Sequence, residues 1–139
     1  MVQQATHADI GFLLDKSKEF HETSIYKDVP FDPVTVRDNL EQLIDGGGVF
    51  FNEHGLIAGM LSPLVFNRNF SIAAELVWFC PDGDGQELKD AFEDWAFDNG
   101  AIGVSMSVLV NGYADKLGDL LIEKGYKPLE ISFVKGLVS

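Results

Sequence analysis

The residues with the clearest chemical potential stand together in Cys80-Pro81-Asp82-Gly83-Asp84-Gly85, followed at once by a helical pattern from Gln86 to Asp98. A helix start leaves backbone N–H groups unpartnered and carries a partial positive charge, which together suit a pyrophosphate. Glycines at 83 and 85 would let that backbone approach phosphate oxygens with no Cβ in the way. The same residues also spell a tight strand-to-helix turn whose acids complement the helix dipole. From Glu75 to Gly100 there are eight acids against Lys89 alone, a local charge of −7. Read as a calcium loop, Asp82, Asp84, Gln86, Asp90 and Glu93 fall at ligand positions, but Glu87 stands where the loop needs Gly. No metal is expected there, and His7 and His54 have no partners at metal-ligand spacing. Cys80 lacks the His and Asn company of a cysteine nucleophile, so a buried strand-end thiol is expected. Gly46-Gly47-Gly48 lacks a following Lys-Ser/Thr pair and reads as a helix end, not a Walker loop.

The elements that must position these residues can be read from periodicity. A short strand at Val2–Ala5 precedes Thr6 and Asp9, a capping box, with an apolar face at Ile10, Leu13, Leu14 and Phe20. Asp32-Pro33 starts a second helix with its stripe at Val36, Leu40, Leu43 and Ile44. Three antiparallel strands follow: Val49–Phe51, one entered at Leu56–Met60, and a long run Phe70–Cys80, with turns at Asn52–Gly55 and Asn67–Asn69. A helix carries Leu88, Ala91, Phe92 and Trp95 on one face. Ala101–Val110 reads as a strand, Ala114–Lys124 as a helix, and Ile131, Phe133 and Leu137 as a last strand. The order is β-α-α-β-β-β-α-β-α-β, which predicts an α/β fold with a mixed, mostly antiparallel sheet and helices on both faces.

Composition sets the outer bounds. The chain has 139 residues, 46% of them hydrophobic, and a net charge of −12. That suits one domain spanning 1–139 with a core of its own. The charge disfavours nucleic acid and anionic membrane surfaces as partners. The single cysteine fits a reducing compartment, no apolar run is long enough to span a bilayer, and MVQQATHADI is too polar for a secretory signal. A cytoplasmic protein is expected.

Several segments, taken in order, resemble the GCN5-related N-acetyltransferase (GNAT) family over nearly the whole chain. QQATHADIGFLL is similar to the family's first strand and helix start, and GLIAGM to the hairpin entering its third strand. AAELVWFCPDGDGQELKDAFEDWAFDNGA is similar to the acetyl-CoA motif, particularly in small phage-type members. GDLLIEKGYKPLEISFVKGL resembles the closing helix, Gly-aromatic turn and last strand. The resemblance implies acetyl-CoA as cosubstrate, with no metal, and strands Phe70–Cys80 and Ala101–Val110 lying parallel and splaying into a V.

The roles it implies fall on particular residues. Glu75 matches the family's frequent general base, although a strand residue at that point could equally face outward. The backbone at Val77, Trp78, Phe79 and Cys80 would hold pantetheine, Gly83, Asp84, Gly85 and Gln86 the pyrophosphate, and Asn111 would contact CoA or form a plain turn. His21, Glu22 and Tyr26 border the acceptor site in relatives. Cys80 replaces the family's Gln or Arg, Asp82 and Asp84 repel a diphosphate, and Leu121 stands where the usual acid, a Tyr, is found. Tyr113 and Tyr126 are the substitutes on offer, Tyr126 fitting better as a packing aromatic. The reading is therefore an N-acetyltransferase for a primary amine on a small molecule or protein. Its acidity suits a cationic acceptor such as a polyamine, an aminoglycoside or a Lys side chain. A homodimer is compatible with it. The alternative is a catalytically degenerate GNAT fold serving as a binding, virion-associated or acidic decoy module.

Overall fold

In the computed structural model, which describes residues 1–109 and 114–136, β1 (Gln3–Gln4) leads into a 3-10 turn at His7–Asp9 and then helix α1 (Ile10–Thr23). The Asp9 carboxylate accepts hydrogen bonds from the Thr6 backbone N–H (2.8 Å) and hydroxyl (3.2 Å), closing the helix start that the Thr-Asp spacing predicts. Helix α2 (Pro33–Asp45) begins with Asp32 in extended geometry and Pro33 in its first turn, and the Thr35 hydroxyl donates to the Asp32 carboxylate.

Strands β2 (Val49–Phe51), β3 (Leu56–Leu64), β4 (Asn67–Phe79) and β5 (Val104–Ser105) join β1 in one sheet of order β1-β2-β3-β4-β5. The first four pair antiparallel and β5 pairs parallel to β4. Helix α3 (Gly85–Asp98) separates β4 from β5, and α4 (Ala114–Glu123) follows. Two cores form, one on each face. Ile10, Leu13, Leu40 and Ile44 pack on Val49, Leu56 and Ala58, while Leu88, Phe92 and Ala96 pack on Phe50, Ile57 and Ala73. The mixed sheet with helices on both faces is as predicted, with α1 and α2 on one side and α3 on the other.

Three local expectations are corrected. The turn between β3 and β4 is Val65–Phe66, and Asn67–Asn69 already belong to β4, since Leu64 pairs with Asn67. No layer covers this tip, so Val65 and Phe66 are exposed and their apolarity carries no register information. Of the strand predicted over Ala101–Val110, the described residues are regular only at Val104–Ser105. The last strand through Ile131 and Phe133 does not form: 127–135 follow no regular element. An open cleft lined by Val104, Ser105, Leu129 and Ile131 lies between this segment and β5, so the two do not pair. Val110, Asn111, Tyr113 and Leu137 lie outside the described residues.

Candidate functional site

The site is built where β4 parts from β5. Their pairing ends at Ala74–Ser105, and the next residue along β4 is Glu75. Glu75 opposes Gly59 while Val77 opposes Ala58, which leaves Leu76 without a partner on β3. This is a β-bulge, and its extra residue bends the strand and raises its twist. From the bulge to Phe79 the outer edge of β4 faces no strand among the described residues, so backbone amides there are available to an extended ligand. The V predicted for the two strands thus opens at Glu75.

Gly59, opposite Glu75, has no room for a Cβ because the Phe92 ring of α3 lies there, which puts Glu75 on the α3 face. The residue is only 8% exposed. Burial raises its pKa to about 8, so the carboxyl is mostly protonated at neutral pH and becomes a base just above it.

The bulge switches the faces of the residues that follow. Val77 and Phe79 turn toward α1 and α2, where Phe79 meets Phe20 with ring centroids 5.5 Å apart. Trp78 and Cys80 turn toward α3, and the Trp78 indole donates to the Gly85 carbonyl at 3.0 Å. Burial pushes the half-buried Cys80 thiol up in pKa, with the charges of Asp84 and Glu87 adding to the shift.

The glycine loop is held shut against the β2–β3 turn. Buried Asn52 accepts from the backbone N–H groups of His54 and Gly55 at 2.9 Å and donates to the Glu87 carboxylate at 2.8 Å. A Cβ at Gly55 would run into the Phe79 carbonyl, and one at Gly83 into the His54 ring. Asp84 is the N-cap of α3, its carboxylate accepting from the Gln86 N–H at 2.9 Å. One amide of the helix start is therefore already taken by an anion of the chain itself. Asp84→Ala should lower stability by about 1 kcal/mol, read as a shift in the urea midpoint without a change in slope. Asp82, beside it, is exposed and makes no cap.

The α1–α2 loop lies on the other face. His21 joins its Nε2 to the Val29 carbonyl at 2.7 Å and meets the Phe31 ring at a tilt of 54°, fastening the loop, while Glu22 and Tyr26 are exposed. Phe20 on Phe79 brings this end of α1 to the end of β4. The loop therefore lies beside Val77–Cys80, on the face opposite Glu75.

A second cluster is not foreseen from the sequence. Lys89, almost wholly buried, reaches Asp90 at 2.9 Å and Glu93 at 2.8 Å, and the Tyr126 hydroxyl donates to the other Glu93 oxygen at 2.8 Å. Burial lowers the Lys89 pKa, but the two carboxylates outweigh it and the net direction is up. Burial, with Glu93 next, raises the Tyr126 hydroxyl well above the ordinary tyrosine range, and the charge of Glu75 is felt there too. The signal was present: Lys89 is the one base among eight acids, four residues before Glu93. Leu121 is buried and offers no proton. Among the described residues no group of three or more His, Cys, Asp or Glu side chains could hold a metal, and no helix is long and apolar enough to cross a membrane.

No protein-family model and no curated protein matches this sequence. Solved structures do match the fold. A GCN5-related N-acetyltransferase from Ralstonia eutropha superposes with a TM-score of 0.64 at 14% identity, covering 97% of each chain. An aminoglycoside acetyltransferase from an uncultured soil metagenomic sample gives 0.70 at 11% identity, covering 98% of this chain and 97% of that one. A predicted acetyltransferase from Clostridium acetobutylicum, solved with acetyl-CoA, gives 0.66 at 12% identity, covering 99% and 96%.

Proposed function

We propose that this chain, whose fold is that of the GCN5-related N-acetyltransferases, is an acetyl-CoA-dependent N-acetyltransferase acting on a primary amine. The observation that carries the reading is the fork of β4 and β5, with a buried carboxyl of raised pKa at its apex and a bulge beside it. Unpaired backbone along Val77, Trp78, Phe79 and Cys80 suits the amides of a pantetheine arm. The helix start at Gly83–Gln86 fits the diphosphate less well. A phosphate must displace Asp84 from the Gln86 N–H, which forgoes about 1 kcal/mol of capping, or about fivefold in affinity. Asn111 is the further contact that the family resemblance implies.

Acetyl-CoA supplies an activated acyl thioester. Glu75, directly or through one water, takes the proton from the attacking amine; the N–C bond forms, the C–S bond breaks, and the thiolate leaves. Leu121 cannot protonate that thiolate, and the Tyr126 hydroxyl is committed to Glu93, so solvent supplies the proton. An acceptor of positive charge suits a chain of −12, and one structural neighbour acts on aminoglycosides. His21, Glu22 and Tyr26 enter only as the acceptor contacts that the resemblance implies, since their loop lies on the face opposite Glu75 and the His21 Nε2 is taken by the Val29 carbonyl.

Asp84 on the helix start and Leu121 at the acid position favour a second reading, a degenerate binding module. Release of free thiol from acetyl-CoA in the presence of a polyamine, an aminoglycoside or a Lys peptide separates the two. Acceptor-dependent release supports the enzyme; none with any amine sinks it. Asp82→Lys should strengthen acetyl-CoA binding about two- to fivefold with little change in stability, because this exposed acid repels the diphosphate and caps nothing. Titration calorimetry checks it, and unchanged affinity would contradict a diphosphate at this loop.

A further inference from the structure

The β3–β4 hairpin carries more apolar surface than its place in the sheet explains. β2 pairs with β3 only as far as Ala58, and β5 pairs with β4 only at Ala73–Ala74. The ribbon from Met60 to Phe70 therefore runs out past its neighbours, with Val65 91% and Phe66 96% exposed at its tip. Contiguous exposed apolar side chains of this kind mark an interaction surface. At the base of the same hairpin lies a groove of about 430 Å3, walled by Gln42, Leu43 and Gly46 at the end of α2 and by Gly59, Met60 and Leu61 of β3. Charge sets the two apart. Residues 54–74 hold no acid and, in Arg68 beside the tip, their one Lys or Arg; this is the longest acid-free stretch of the chain. The groove has the opposite character. Glu41 and Asp45, the latter also bonded to His7, stand beside its α2 residues, and no Lys or Arg occurs from 38 to 53.

We propose that the occupant of this groove is the hairpin tip of a second copy of this chain, each tip seated in the other's groove about a twofold axis. The spacing allows it. Groove and tip lie about five residues apart on one ribbon, roughly 15 Å at the rise of a strand, so an axis near Pro63 sets each tip on the other groove. Pro63 has no N–H to donate, which disfavours continuous backbone pairing between the two β3 edges and leaves side chains to hold the contact. Val65 and Phe66 leave water, and Arg68 comes to the acidic end of the other copy's α2. Two chains of −12 repel over most of their surface, and contact through an acid-free hairpin avoids that repulsion.

Val65→Cys combined with Gln42→Cys tests the geometry. Within one chain the tip stands too far from the groove for a disulfide, which needs Cα atoms within about 7 Å. Under mild oxidation the double variant should give a covalent dimer, and neither single variant should. Sedimentation velocity on the full chain over a wide concentration range tests the contact itself. Phe66→Glu, at a position almost fully exposed in its own chain, should halve the sedimenting mass of the wild type with an unchanged circular dichroism spectrum. A double cysteine variant that links no more than the single ones overturns the proposal. So does a wild type that stays monomeric at every concentration, or a Phe66→Glu variant that keeps the wild-type mass. Neither readout needs acetyl-CoA, so their failure would leave the acetyl-transfer reading standing.

Discussion

Glu75→Gln should lower kcat for acetyl transfer by about 10²–10⁴-fold with little change in KM for acetyl-CoA. The amide keeps the size of the carboxyl and cannot accept the amine's proton. In the wild type the same group sets the pH dependence. With its pKa raised to about 8 by burial, Glu75 should be ionised in only about a tenth of molecules at pH 7. The rate of acyl transfer should therefore climb about tenfold per pH unit below pH 8 and level off above it. A pH–rate profile on wild type and variant checks both halves. A wild-type profile flat from pH 6 to 9, or a Gln variant within about twofold of wild type, would remove Glu75 from the chemistry.

The same burial makes Glu75 a pH-dependent liability for stability, whether or not the protein is an enzyme. Below the ordinary Glu value of 4.5 both folded and unfolded chains hold the proton, and the group has no effect. Between 4.5 and about 8 the unfolded chain has released it and the folded one has not. Stability then falls with rising pH by about 1.4 kcal/mol per unit. Above about pH 8 both forms are ionised and the loss is complete, at up to about 4–5 kcal/mol. Glu75→Gln removes this dependence. The variant should match wild type near pH 4.5 and exceed it by several kcal/mol near pH 9, read from paired urea unfolding curves. Equal stability at both pH values would mean that the carboxyl is solvated in the folded state.

Much of the scaffold was legible because its signals are local. Thr6-Asp9 closes a capping box within one turn, Asp32-Pro33 puts a proline that needs no N–H partner in the first turn of α2, and the stripe Leu88, Ala91, Phe92, Trp95 fixes which face of α3 is buried. What the sequence misplaced depends on neighbours far along the chain. Val65 and Phe66 look like strand residues, but they sit at a hairpin tip beyond any covering layer. Leu129, Ile131 and Phe133 have a strand's alternation, but an open cleft separates their segment from β5. The site was legible in the same uneven way. Glu75 can be singled out by its place before the glycine loop. The bulge at Leu76, which decides that Glu75 faces α3 while Val77 faces α1 and α2, arises from a mismatch with β3 that no local pattern announces. Asp84 was readable as a loop acid, and only the folded turn shows it capping α3.

Acetyl-CoA binding tests the central claim most directly, since the fork of β4 and β5 must hold the pantetheine arm before any chemistry follows. A thermal-shift titration at pH 8 reads it on the intact chain. Ligand at a hundredfold excess over its Kd should stabilise the folded state by about 2.7 kcal/mol, raising the melting temperature by roughly 6–12 °C in a saturable, single-site manner. A melting temperature that stays fixed up to millimolar acetyl-CoA would contradict the account and leave the fold as a module that has lost its acyl donor.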